Sequence, residues 1–105
     1  MPHAPRHLSP QTRQWWNRYA KENNLGEAQL QILTLAAEAW DRNTQARAIL
    51  EEQGLTYTDR FGQPRARPEI DIERNAKITF EKLMRSLSRE TEGLPDWLKN
   101  AKLKK

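Results

Sequence analysis

The chain has no cysteine and only four glycines in 105 residues. No apolar run in it approaches the roughly 18 residues a membrane-spanning helix requires. Without cysteine there is no disulfide framework and no thiol nucleophile, and a reducing compartment suits the chain. The glycines, Gly26, Gly54, Gly62 and Gly93, are dispersed, so neither a phosphate-cradling loop nor a dinucleotide fingerprint is spelled out. Histidine is scarce as well. His3 and His7 stand four apart in a proline-broken end with no carboxylate near them in sequence, a poor metal set that reads as surface histidines. Asp71 and Glu73 are two apart on a predicted helix and point away from each other, unlike a paired acid and base. No charged-then-apolar leader opens the chain. The expectation is a soluble, intracellular protein with no catalysis, cofactor or metal of its own.

What remains is polar and unevenly charged. Hydrophobic residues are 36% and charged residues 30%, a lean supply for one self-sufficient core, and the length allows a single domain. The net charge of +4 hides an alternation. Met1 to Asn24 holds four basic residues against one acidic, and Leu25 to Gly54 holds two against five. Leu55 to Pro68 has three arginines against Asp59, Glu69 to Gly93 is near balance, and Leu94 to Lys105 has four lysines against Asp96. Basic ends and a basic connector flank acidic helical bodies. Such charge is either ordinary solvated surface or a set of patches that converge on a polyanion.

The helix punctuation predicts an all-α fold of three main helices, at about 10–23, 27–53 and 69–88. Ser9 followed by Pro10 is an N-cap with proline at the first helical position. "NNLGE" turns the chain, and Gly54 is a natural left-handed cap after Gln53. Pro68 opens the third helix, with Glu69 and Asp71 near its positive end. Between the second and third helices, "LTYT" supplies strand formers and Asp59, Gly62 and Pro64 supply turn residues, so residues 55–67 read as a short β-hairpin-like connector. The organisation is a flexible segment 1–8, one helical domain 9–93, and a basic tail 94–105 that includes a possible short helix around Trp97.

The apolar faces set the packing. In helix 3, Ile72, Ala76, Phe80, Leu83 and Leu87 fall within one arc of about 80°. Helix 2 has two stripes, Leu30, Leu33, Ala37 and Trp40 on one side, and Ile32, Leu35, Ala36 and Ala39 on another. Helices 1 and 3 can cover one of them. The second is expected at a subunit contact, with Ile32, Leu35, Ala36, Ala39 and Trp40 as candidate interface residues. A three-helix monomer with helix 2 at its centre is the alternative.

Helix 1, the turn and helix 2 have the outline of a helix-turn-helix, but the first turns of helix 2 read "EAQLQIL" and offer no Lys or Arg before Arg42. Helix 1, with Arg13, Arg18 and Lys21 interleaved with Trp15, Trp16 and Tyr19, is the better phosphate-contacting element. Its aromatics read as core.

"HLSPQTRQWWNRYAKENNL" followed by "AAEAWDRNTQARAILEEQGLTYTDRFGQPRARPEIDIERNAKITFEKLMRSL" resembles the small subunit of tailed-bacteriophage terminases, in its compact, helical, ring-forming branch. The Leu8-Ser9-Pro10 start with Trp15 and Trp16, the "EAWDR" stretch Glu38 to Arg42, the connector Gly54 to Gly62, and Pro68, Glu73, Arg74 and Ala76 carry the likeness in order. "RARPEI" departs from it where a histidine near the proline is expected. The resemblance implies a non-enzymatic DNA-packaging factor in the host cytoplasm. It implies a homo-oligomeric ring, with double-stranded viral DNA and the ATPase- and nuclease-bearing large subunit as partners. Under it, Arg60, Arg65 and Arg67 project toward phosphates from the hairpin, and Phe61 packs on the helices. Charge alone adds Lys99, Lys102, Lys104 and Lys105 of the tail as candidate contacts to DNA or the large subunit. The competing readings are a small dimeric helical transcription regulator and a structural adaptor without DNA contact.

Overall fold

The computed structural model describes residues 2–92, with side chains as far as Ser88. Lys99, Lys102, Lys104, Lys105 and the segment around Trp97 lie outside the described residues. The elements are α1 (Pro10–Asn23), α2 (Glu27–Gln53), β1 (Thr56–Thr58), β2 (Pro64–Ala66) and α3 (Pro68–Glu92). The fold is all-α, with one two-stranded antiparallel hairpin between α2 and α3. α3 runs four residues past the expected end at Ser88.

Local chemistry explains the helix boundaries. The Ser9 hydroxyl accepts from the Thr12 N–H, and Pro10 occupies the first turn. Asn24 adopts the left-handed conformation, φ 49°, and its N–H bonds back to the Ala20 carbonyl. At the start of α2 the Gln29 side chain accepts from the Gly26 N–H at 2.9 Å, one half of a capping box. Gly54 ends α2 with φ 84° and ψ 178° while its N–H reaches the Leu50 carbonyl. That backbone lies outside the left-handed helical region expected for the cap, in one that is almost exclusive to glycine.

The core gathers residues from all three helices and the N-terminal segment: Leu8, Trp16, Ala20, Leu33, Ala37 and Leu87. Each large apolar side chain buried here contributes about 1.5–3 kcal/mol. Trp16 keeps its polar edge satisfied, its indole N–H donating to the Thr34 hydroxyl at 3.2 Å. The N-terminal segment packs on the helices. Leu8 is buried, Ala4 packs on the core, and the Ala4 N–H donates to Asn17 Oδ1 at 2.9 Å.

The hairpin reverses the chain so that α3 runs back along α2. Ala36, Ala39, Asn43, Ala46 and Leu50 are all buried and recur at alternating spacings of three and four, a coiled-coil-like seam. Ala76 of α3 is buried too and shares a cleft with Ala39. Small side chains on both helices allow their backbones to come close. This corrects the expected subunit interface at two positions: Ala36 and Ala39 are buried inside the protomer, in the seam that α2 forms with α3. Ile32 is half-buried against the core, and only Leu35 and Trp40 of the proposed set are well exposed, at 53% and 44%. The seam also buries the Asn43 carbonyl Oδ1, which has no hydrogen-bond partner among the described residues.

Candidate nucleic-acid interface

α1 presents two faces. At 100° per residue, Arg13, Lys21 and Arg18 spread over about 140° on the side turned away from Thr12, Trp16 and Tyr19. Thr12 and Trp16 are buried, Arg18 and Lys21 are exposed, and Arg13 is half-exposed. Among the described residues none of the three basic side chains makes an ion pair. Trp16 anchors this face from behind, and Trp15 and Tyr19 pack at its margin with ring centroids 5.6 Å apart. Burial pushes the Tyr19 hydroxyl pKa up.

The position of α1 on α2 is set by Asp41. Its Oδ2 accepts from the Ser9 N–H at 2.7 Å, and its Oδ1 accepts from the hydroxyls of Ser9 at 2.9 Å and Thr12 at 2.6 Å. Burial alone raises a carboxyl pKa. Here the hydrogen bonds from Thr12 and Ser9, with the nearby His7, outweigh it and hold Asp41 below its ordinary value. One turn earlier, Glu38 Oε2 lies 2.8 Å from His7 Nε2. The sequence gives no carboxylate near His7, and the fold brings one from 31 residues away. The "EAWDR" stretch is therefore a docking strip: Glu38 and Asp41 hold the N-terminal segment and the α1 cap, while the Trp40 ring meets Phe80 of α3 at 5.1 Å.

The hairpin is a self-contained arm whose strand residues are all exposed. Thr56, Tyr57 and Thr58 pair with Ala66, Arg65 and Pro64. Asp59 builds the turn: its side chain accepts from the Phe61 and Gln63 N–H groups and from Arg65 Nε, each at 2.9 Å. The Arg65 bond, then the Gln63 N–H, depresses the Asp59 pKa. The Asp59 N–H bonds to the Gln63 carbonyl, which leaves Arg60, Phe61 and Gly62 as a three-residue tip with Gly62 at φ 79°. Each arginine expected to project toward phosphates has a local partner. Arg65 pairs with Asp59, the Arg60 guanidinium lies 4.9 Å from the Phe61 ring centroid, and Arg67 lies 5.9 Å from that of Tyr57. Phe61, expected to pack on the helices, is instead 72% exposed. A three-residue tip held by Asp59 lifts it clear of them.

Sequence reasoning missed a cleft between the helices. Gln11, Thr12, Trp15, Trp40 and Phe80 line an open volume of about 330 Å³, with the Phe80 ring 6.0 Å from Trp15. The sequence placed Trp15, Trp40 and Phe80 on three separate apolar faces and gave no signal that they meet, and in the structure Trp40 stays 44% exposed. Among the described residues no group of three metal-ligating side chains comes together, and no helix is long and apolar enough to cross a membrane.

These features define a class: a small three-helix protein whose first helix carries a basic face without ion pairs among the described residues, and which holds out an exposed aromatic and basic arm. The chain belongs to the phage terminase small-subunit family, whose profile, described as phage terminase, small subunit, matches residues 12–88. That span holds α1 almost whole, all of α2, the arm and most of α3, and it ties the chain to phage DNA packaging. No curated protein and no solved structure matches it at a significant level.

Proposed function

We propose that this protein is a non-enzymatic packaging factor that assembles into a ring and binds double-stranded viral DNA. It regulates the ATPase- and nuclease-bearing large subunit in the host cytoplasm. The observation that carries the reading is the outer face of α1, where Arg13, Arg18 and Lys21 stand without acidic partners among the described residues. Charged groups of this kind contact phosphates and displace counterions, giving affinity with little sequence information. One subunit offers few such contacts, so useful affinity comes from several copies acting together. Lys99, Lys102, Lys104 and Lys105 add cationic charge in the same role, toward DNA or the large subunit.

The test joins native mass with duplex binding. A ring gives a mass of many subunits at micromolar concentration. If three phosphates are neutralised per engaged subunit, raising salt from 50 to 200 mM lowers its intrinsic affinity about 40-fold. Removal of residues 94–105 lowers duplex affinity or large-subunit ATPase stimulation and leaves the assembly intact. A salt-insensitive affinity overturns the phosphate-contact reading, and a stable monomer overturns the ring.

A further inference from the structure

The arm and the cleft are complementary, yet they lie far apart on one chain. Trp40 precedes Gly54 by 14 residues, roughly 21 Å along α2, and the arm extends beyond that end. Phe61 therefore has no route into the cleft of its own chain. We propose that Phe61 at the tip of the arm inserts into the Trp15–Trp40–Phe80 cleft of a neighbouring copy, as the knob of a head-to-tail ring contact. The proposal rests on the ring reading above and adds its chemistry.

Four observations point to a second copy as the occupant. The tip holds a phenyl ring 72% exposed to water, on a turn fixed by Asp59 and Gly62, so little ordering is lost on docking. The cleft offers about 330 Å³ between three aromatic rings, whereas a cavity of roughly 150 Å³ suffices for benzene. Charge favours the same pairing. The arm carries three arginines against Asp59, and the Asp41 carboxylate lies directly behind Thr12 of the cleft wall. Finally, Arg60 already lies over Phe61, so entry brings its guanidinium toward the Trp15 and Trp40 rings, which attract cations more strongly than phenylalanine does. Knob and hole on different surfaces of one subunit make a heterologous contact, the kind that closes into a ring.

The absence of cysteine gives a clean background for the test. Gln63→Cys and Gln11→Cys chains, both keeping Phe61, are mixed and treated with a short bis-maleimide, with Glu51→Cys replacing Gln11→Cys as control. The expected result is an interchain cross-link from the Gln63/Gln11 pair and none from the control. Phe61→Ala weakens self-association on the order of 30-fold while the helicity of the subunit stays at the wild-type value. Phe61→Ala mixed with Trp40→Ala forms dimers through the one knob and one hole left intact. If wild-type protein assembles, Phe61→Ala assembles equally and no cross-link appears, the insertion is overturned while the ring stands. If Phe61→Ala keeps the native mass but loses duplex affinity, the tip is a nucleic-acid contact and the insertion is again overturned. If wild-type protein is monomeric at every concentration tried, both readings fall.

Discussion

Asp41 on α2 grips Ser9, the N-cap of α1, through both carboxylate oxygens, one on the Ser9 N–H and the other on its hydroxyl. The cap of one helix is thereby a contact between two. Substituting Asp41→Ala removes three hydrogen bonds to a charged acceptor and leaves the Ser9 N–H without its partner. A loss of about 2–3 kcal/mol in unfolding free energy is expected, measured by urea denaturation.

The same carboxylate gives the protein an acid dependence. Its folded pKa is depressed, so its stabilising contribution is full above the ordinary carboxylate value near 4 and disappears as pH falls through the folded value. Melting temperatures from pH 7 down to pH 2 should therefore drop more steeply for the wild type than for Asp41→Asn. Parallel curves for the two proteins would remove Asp41 as a source of the acid lability.

Gly54 makes a separate prediction, because a Cβ built there meets no atom within 4 Å. Crowding is thus no obstacle to Gly54→Ala, and only the backbone at φ 84° opposes it. The expected cost is about 1–3 kcal/mol, read from thermal or urea unfolding. An unchanged midpoint would mean the α2 end relaxes to another conformation.

The seam separates two substitutions that look alike in sequence. Ala36→Glu places a carboxylate at a site with no exposure and should unfold the chain or cost several kcal/mol, seen as lost helicity by circular dichroism. Leu35→Glu, one residue earlier and 53% exposed, should leave helicity and melting temperature nearly unchanged. Equal behaviour of the two would contradict the packing of α3 over Ala36.

If α1 contacts phosphates as proposed, the double substitution Arg18→Ala with Lys21→Ala removes two such contacts per subunit without touching the core. Duplex affinity should fall for all sequences alike, and the slope of log affinity against log salt should flatten by about 1.8 per engaged subunit. Fluorescence anisotropy across a salt series measures both.

Much of the architecture was legible because local signals and global packing agree. Ser9-Pro10, Gly54 and Pro68 mark helix ends by chemistry that acts within a few residues, and "LTYT" with Asp59 and Gly62 marks the hairpin. The two apolar stripes of α2 were also legible. What was not was which partner covers each, since periodicity shows a buried face and says nothing of whether the same chain or another buries it. Ala36 and Ala39 went to the wrong partner for that reason. The His7–Glu38 and Ser9–Asp41 contacts span about 30 residues and have no local signature. Phe61 misled in the opposite direction, because a large apolar residue is usually covered and this one is held out by its turn.

The close alanine seam between α2 and α3 has a mechanical consequence. α1 grips the first half of this helical pair, as far as Asp41, and the arm leaves from the far end, so roughly 20 Å of strut separates the two. Over that length a tilt of 5° at the α1 end displaces the root of the arm by about 1.7 Å. A small resettling of α1 is thus felt at the arm as a shift of more than an ångström.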